Sequence, residues 1–300
     1  MNNKALSTYG LTRLPFSKDI PASEMLDTEA LQTAKERLKA ALEGRSSAVM
    51  TGDSGSGKTC LLRALEEDLP QGRYRIHYVH NATVNRRDFY RQLSIGMGLE
   101  PRATFAALFA SVSQHIQDLA SQHKLRMVLL IDEAHMLPLS VLDQMHVLMN
   151  FERDSKPWLS IILVGLPELR ETLKRNVLQS LTARIPIRVH LTPLDSDQVK
   201  QYVRHRMTAA GCRREVFADD GLLLISKATG GIMRRIDVLA TRCLELAAKG
   251  KSNLVDATVA EAAIRDCAEA LLLMLQRLQR PFPLCGPATC APRPLPRRHG

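Results

Sequence analysis

No stretch of this 300-residue sequence is long and apolar enough to cross a membrane. The longest aliphatic runs, Met127–Ile131 and Leu271–Leu275, fall far short of the ~18–20 residues that a span requires. No hydrophobic segment follows Asn2, Asn3 and Lys4, so a signal peptide is not expected, and the chain is expected to work in the cytoplasm without a membrane partner. Metal-ligand spacing is missing as well. The six cysteines, at 60, 212, 243, 267, 285 and 290, include one close pair, Cys285 and Cys290, with no second pair to match it. They are expected to be free thiols, and no zinc finger can be built from them. The sequence shows neither an internal repeat nor a helix-turn-helix pattern. Acidic residues are absent from Gln276–Gly300, which holds five arginines, so half of the net charge of +10 sits there. What remains is ordinary globular composition, 45% hydrophobic and 24% charged. The excess of positive charge suits an anionic partner such as nucleic acid.

The clearest positive feature is Gly52-Asp53-Ser54-Gly55-Ser56-Gly57-Lys58-Thr59, which fits G-x-x-x-x-G-K-[ST] at every position. Glycines let the backbone approach phosphate oxygens and take positive φ. Successive N–H groups then point inward, and the helix that follows offers its positive end to the anion. Lys58 can reach the β- and γ-phosphates, and Thr59 can place a hydroxyl on Mg²⁺. With the following Cys60, these residues form the candidate nucleotide-binding set. A strand before the loop, Ala48–Thr51, and a helix after it, Lys58–Leu69, give the motif the context it needs.

Apolar segments at Ala48–Thr51, Arg75–Val79, Met127–Asp132, Leu159–Val164 and Ile185–His190 read as strands. Between them, Lys58–Leu69, Arg87–Met97, Phe105–Gln122, Ser140–Phe151 and Pro167–Asn176 read as helices. This alternation implies an α/β fold, a five-stranded parallel sheet covered on both faces. Ahead of it, Thr28–Glu43 has helical spacing, with Thr28 as N-cap and Gly44 as stop. From Pro193 the pattern is helical throughout, at Asp195–Gly211, Val216–Thr229, Met233–Lys249 and Asp256–Leu278, which predicts a small all-α unit. The expected division is an N-terminal segment and helix (1–45), an α/β core (46–192), a helical lid (193–278) and a Pro/Arg-rich tail (279–300) expected to lack order.

A phosphate loop needs an acidic strand end to hold its metal, and Val128–Glu133 provides one. Asp132 emerges at the carboxyl end of the third strand, where ligands bind in open α/β sheets, and would orient Mg²⁺ and its waters. Glu133, expected on the opposite face of the strand end, would polarise a water for attack on the γ-phosphate of ATP. The motif lies about 70 residues downstream of the loop, a spacing that supports reading the two together. His135 reads as a helix-terminal or interface residue.

Gly52–Thr59, Leu129–Glu133, Leu163–Leu169 and Gly230–Ile236 together resemble the AAA+ ATPases. Within them they resemble the ExeA/TnsC/TniB-like group, many of which assist DDE transposases. The opening Tyr9–Phe16 is also similar to that group, and the resemblance runs from about residue 9 to residue 268. It implies a P-loop AAA+ core with a helical lid, ATP and Mg²⁺ as cofactors, ATP hydrolysis, and a homo-oligomer. It also assigns roles singly. Arg234 stands where the group has its lid arginine, directed at the γ-phosphate of the same subunit, with Met233 and Asp237 replacing a usual proline and a frequent asparagine. Arg184 stands at the position of the arginine that reaches ATP in the adjacent subunit, with Arg188 in reserve. The residue after Gly165, usually polar in the family and used to sense the attacking water, is Leu166 here. A leucine has no hydrogen bond to offer, so slow hydrolysis is expected.

Three stretches could contact DNA phosphates: Lys200–Arg214, which has five cations and no acid, Asn81–Arg87, which corresponds to a channel-lining loop in oligomeric relatives, and the tail. The leading functional reading is an ATPase that binds double-stranded DNA without sequence choice, assembles there, and regulates or recruits a transposase. A secretion-associated ATPase and a nucleotide-gated scaffold with little hydrolysis are the alternatives. A small-molecule kinase fits the lid arginine and the helical unit less well.

Overall fold

A computed structural model describes residues 3–17, 21, 24, 28–80 and 84–278. Cys285, Cys290, the tail at 279–300 and residues 81–83 of the channel-loop stretch lie outside the described residues.

The strands are β1 (Ala48–Gly52), β2 (Tyr74–Val79), β3 (Arg126–Ile131), β4 (Leu159–Gly165) and β5 (Ile187–Leu191). They form one sheet in the order β2-β3-β4-β1-β5, parallel throughout. The three central strands are buried along almost their full length, as a sheet covered on both faces requires. Alternation divides their side chains between two cores. Val128, Leu130, Ile162 and Val164 face α2 (Glu29–Glu43) and α3 (Lys58–Asp68). Leu129, Ile131, Ile161 and Leu163 face α4 (Arg86–Gly96), α5 (Phe105–Ser121), α6 (Leu139–Leu148), α7 (Glu168–Leu173) and α8 (Gln179–Ala183). The side chain of Thr28 accepts from Leu31 N–H at the start of α2, the cap expected from the sequence.

Element ends move by a few residues from the sequence expectation. The largest differences lie in the core helices. The helix expected over Ser140–Phe151 stops at Leu148, and Pro167–Asn176 holds only the short α7, followed by a 3₁₀ turn at Asn176–Leu178 and α8. The helical unit consists of α9 (Ser196–Ala209), α10 (Asp219–Thr229), α11 (Met233–Lys249) and α12 (Ala257–Leu278). Asp195 caps α9 in a reciprocal capping box with Gln198. The helix expected from Val216 begins at Asp219 instead, because Phe217 is drawn into a bridge with Val255.

The opening residues hold a structure that composition did not reveal. Asn3–Tyr9 is a helix, α1, and Tyr9, Leu11 and Phe16 are buried in the core of the helical unit rather than against the sheet. Arg206 of α9, only 4% exposed, fastens them. Its Nε donates to Pro15 O at 2.7 Å and its Nη2 to Ser17 O at 2.7 Å. Its Nη1 donates to the Tyr202 hydroxyl at 3.0 Å, which in turn donates to Asp237 Oδ1 at 2.8 Å. Burial raises the Asp237 carboxyl, and Arg206 and the Tyr202 hydroxyl pull it back down. Arg206 therefore belongs to the interior of the unit and not to a basic surface. Removing one member of such a buried charged network is costly. Arg206→Ala is expected to lower stability by about 3 kcal/mol and to expose residues 9–17 to protease. Urea denaturation and limited proteolysis would measure the two effects.

Candidate nucleotide site

β1 delivers the chain into the loop at Gly52, and α3 begins at Lys58. Gly55 and Gly57 have φ of +85° and +94°, conformations that cost a side-chain-bearing residue strain. Close approach matters too. A Cβ on Gly52 would lie 2.7 Å from Ser56 Oγ, and one on Gly57 would lie 3.1 Å from Met233 Sδ. Inside the loop the Lys58 ammonium donates to the carbonyls of Gly52 and Asp53, each at 2.8 Å. Burial lowers its pKa, while Glu133, Asp132 and Asp53 raise it and Arg234 lowers it further. Ser56 Oγ is buried with no partner among the described residues. A glycine loop around a lysine ammonium, with one buried hydroxyl left over, fits a polyphosphate.

Thr59 and Asp132, far apart in sequence, come together here. Thr59 Oγ1 at the start of α3 donates to Asp132 Oδ2 at 3.0 Å across 73 residues of sequence. Asp132 is 2% exposed, and its Oδ1 accepts from its neighbour's N–H at 2.8 Å. A hydroxyl and a buried carboxylate side by side are hard oxygen donors of the kind Mg²⁺ takes, so the donor set fits that ion. A third group joins them. The Tyr78 hydroxyl donates to the same Asp132 Oδ2 at 2.8 Å. Burial and this bond to the carboxylate raise the tyrosine pKa well above its usual value. Sequence reading passed over Tyr78 as a strand residue. The signal lay in the parallel register, which pairs Tyr78 with Leu130, two residues before Asp132.

Glu133 does not continue the strand's alternation. It takes a left-handed conformation, φ 52° and ψ 34°, and the chain turns through it into the 3₁₀ helix Ala134–Met136. Its carboxylate is 3.4 Å from His135 Nδ1, so His135 stands at the site rather than at a distant interface. Leu166 follows β4 beside it.

α11 of the helical unit rests on the loop. The N–H of Arg234 donates to Gly55 O at 3.2 Å, and a Cβ on Gly55 would lie 2.5 Å from Arg234 Cβ. Arg184 is elsewhere. Its guanidinium holds Asp154 Oδ2 at 2.5 Å and Ser180 O at 3.1 Å, and its Nε is buried without a partner among the described residues. Arg188 lies exposed on β5. Asp154 ends a run of three residues, Glu152, Arg153 and Asp154, all with positive φ. Cys60, half-buried beside Thr59, is a free thiol, as are Cys212, Cys243 and Cys267.

The proposed nucleic-acid stretches fare unevenly. In 200–214, Lys200 pairs with Asp197, Arg204 with Glu215 and Asp219, and Arg214 donates to Thr8 O. With Arg206 buried, Arg213 is the cation of that stretch with no described partner. Arg86 and Arg87 are exposed at the start of α4.

The core is similar to known proteins. Residues 41–173 match the family described as AAA domain. Over 260 residues the chain is 33% identical to General secretion pathway protein A of Aeromonas hydrophila, covering 85% of this chain but 47% of that protein. The chain thus spans about half the length of this curated relative. Among solved structures, Drosophila ORC bound to DNA aligns with a TM-score of 0.65 at 18% identity, covering 93% of this chain and 70% of that one. The Aeropyrum pernix ORC1 protein in complex with DNA aligns at 0.63 and 17%, covering 95% and 75%. The Thermotoga maritima RuvB branch migration motor aligns at 0.55 and 17%, covering 84% and 73%. The fold is therefore the P-loop AAA+ fold with a helical C-terminal region, as the sequence implied. Among the described residues, no helix is long and apolar enough to cross a membrane.

Lys58→Ala removes the cation at the centre of the cradle and is expected to weaken ATP binding on the order of 100-fold, or about 2.7 kcal/mol, measurable with a fluorescent ATP analogue. Gly55→Ala should also weaken it, by forcing α11 away from the loop. A variant that binds ATP as the parent does would contradict the close approach seen here.

Proposed function

We propose that this chain is an ATP hydrolase that assembles with copies of itself on double-stranded DNA, with ATP holding the assembly together. One observation carries the reading: α11 rests on the phosphate loop through Arg234 and Gly55, so a triphosphate in the loop would contact core and lid together.

In this reading Lys58 and the loop amides bind the phosphates, and Thr59 and Asp132 hold Mg²⁺. When bound, Mg²⁺ would neutralise charge on the β- and γ-phosphate oxygens. Glu133 polarises the attacking water. Arg234 contacts the γ-phosphate in its own subunit, and Arg184 leaves Asp154 to contact ATP in the adjacent one. ATP then favours assembly by the extra affinity that the second arginine adds. With leucine at position 166, turnover is slow and serves timing rather than motion.

Support for DNA comes from fold neighbours described as bound to DNA, from exposed Arg86 and Arg87, and from the arginine-rich end of the sequence. A DDE transposase is the partner implied by the resemblance of Tyr9–Phe16 and the core motifs, with the cytoplasm as the working place. A second reading has an observation of its own. Identity of 33% to a general secretion pathway protein supports a secretion-associated ATPase.

ATPase activity measured with and without duplex DNA separates the two. Stimulation by duplex at low salt, lost as salt rises, is expected for the first reading. Glu133→Gln should lower turnover about 100-fold while keeping ATP, and should leave ATP-bound oligomers on DNA. Sizing and mobility-shift experiments would reveal them. A chain that stays monomeric with ATP and ignores duplex would end the DNA reading.

A further inference from the structure

Leu166 leaves the end of β4 without a polar side chain where the resemblance leads one to expect it. The structure places another polar group against that end. The imidazole of His135, with its side chain only 17% exposed, has Nδ1 3.4 Å from Leu166 N and 3.4 Å from Glu133 Oε2. The slot is fitted to it. Gly165 carries no side chain, and a Cβ there would come within 3.2 Å of both His135 N and His135 Nδ1. Glu133 needs such a neighbour. It sits in a left-handed turn with its side chain 41% exposed, and His135 is the side-chain partner described for it. Left alone, a half-exposed carboxylate samples several rotamers, and only some of them point at a given water.

We propose that His135 is the positioning residue for Glu133, an imidazole donor wedged against the bare end of β4 that supplies the polar group Leu166 cannot. The role rests on Glu133 acting as the group that polarises water. Nδ1 has a single in-plane position, so it either donates a hydrogen to Glu133 or accepts one from the Leu166 amide. The first arrangement fixes the carboxylate, and the second keeps the ring in its slot when Glu133 turns to the water.

The test is steady-state ATP hydrolysis by the full chain carrying His135→Ala or His135→Gln, with ATP affinity followed by a fluorescent analogue. His135→Ala should lower kcat about tenfold with KM and affinity within about twofold, the pattern of a lost orienting contact. His135→Gln should recover most of the rate, because its amide also donates to a carboxylate. In a Glu133→Gln background His135→Ala should have no further effect, since the histidine acts only through that residue. Turnover of His135→Ala at or above the parent rate would overturn the assignment. So would a glutamine variant as slow as the alanine one, or an undiminished loss in the Glu133→Gln background. A parent protein that does not hydrolyse ATP would defeat the reading of the whole site. A parent that hydrolyses normally while indifferent to His135 would defeat this inference alone.

Discussion

Gly55 lies where two units of the chain meet. Its carbonyl accepts from the Arg234 amide, and its backbone, at φ +85°, has no space on its side-chain face except for hydrogen. The strand-loop-helix around it would bind phosphate in many folds. The direct backbone contact between that loop and the first turn of α11 is what joins phosphate binding to the position of the helical unit. Met233 beside Gly57 reinforces the contact, so two glycines needed for backbone conformation are also the seat of the helical unit.

Around that seat the charges are arranged with little redundancy. The ammonium of Lys58 is partly desolvated, and the acidic neighbours that sustain its charge are Glu133, Asp132 and Asp53. Asp132 in turn accepts from Thr59 and Tyr78 on one oxygen. A buried carboxylate with two hydroxyl donors has a fixed direction, which would suit a metal of strict geometry. Glu133, one residue on, has no such bracing from the sheet. The left-handed turn takes it out of the strand and leaves its orientation to whatever lies across from it.

Much of this was legible in the linear sequence, and for a physical reason. The loop, the helix after it and the aliphatic strand ending in Asp132 are local patterns, in which spacing along the chain fixes spacing in space. The same holds for the cap at Thr28 and for the parallel sheet, whose central strands are apolar on both faces. What escaped depends on register and on distant packing. Tyr78 reaches Asp132 only because β2 and β3 pair as they do. His135 gains its neighbours from the end of β4, thirty-one positions away in sequence. Arg206 looked like one cation among five in a basic stretch, and only the fold shows that its guanidinium holds the carbonyls of residues 15 and 17.

That last arrangement has a geometric result. The first residues of the chain precede the sheet in sequence yet are packed into the helical unit that follows it. The polypeptide consequently passes between the two bodies twice, once ahead of α2 and once after β5. A body tethered by one strand of chain can pivot in any direction, whereas one tethered by two turns most freely about the line joining the tethers. Any movement of one body relative to the other would then be confined to something close to one degree of freedom, as with a door on two hinges.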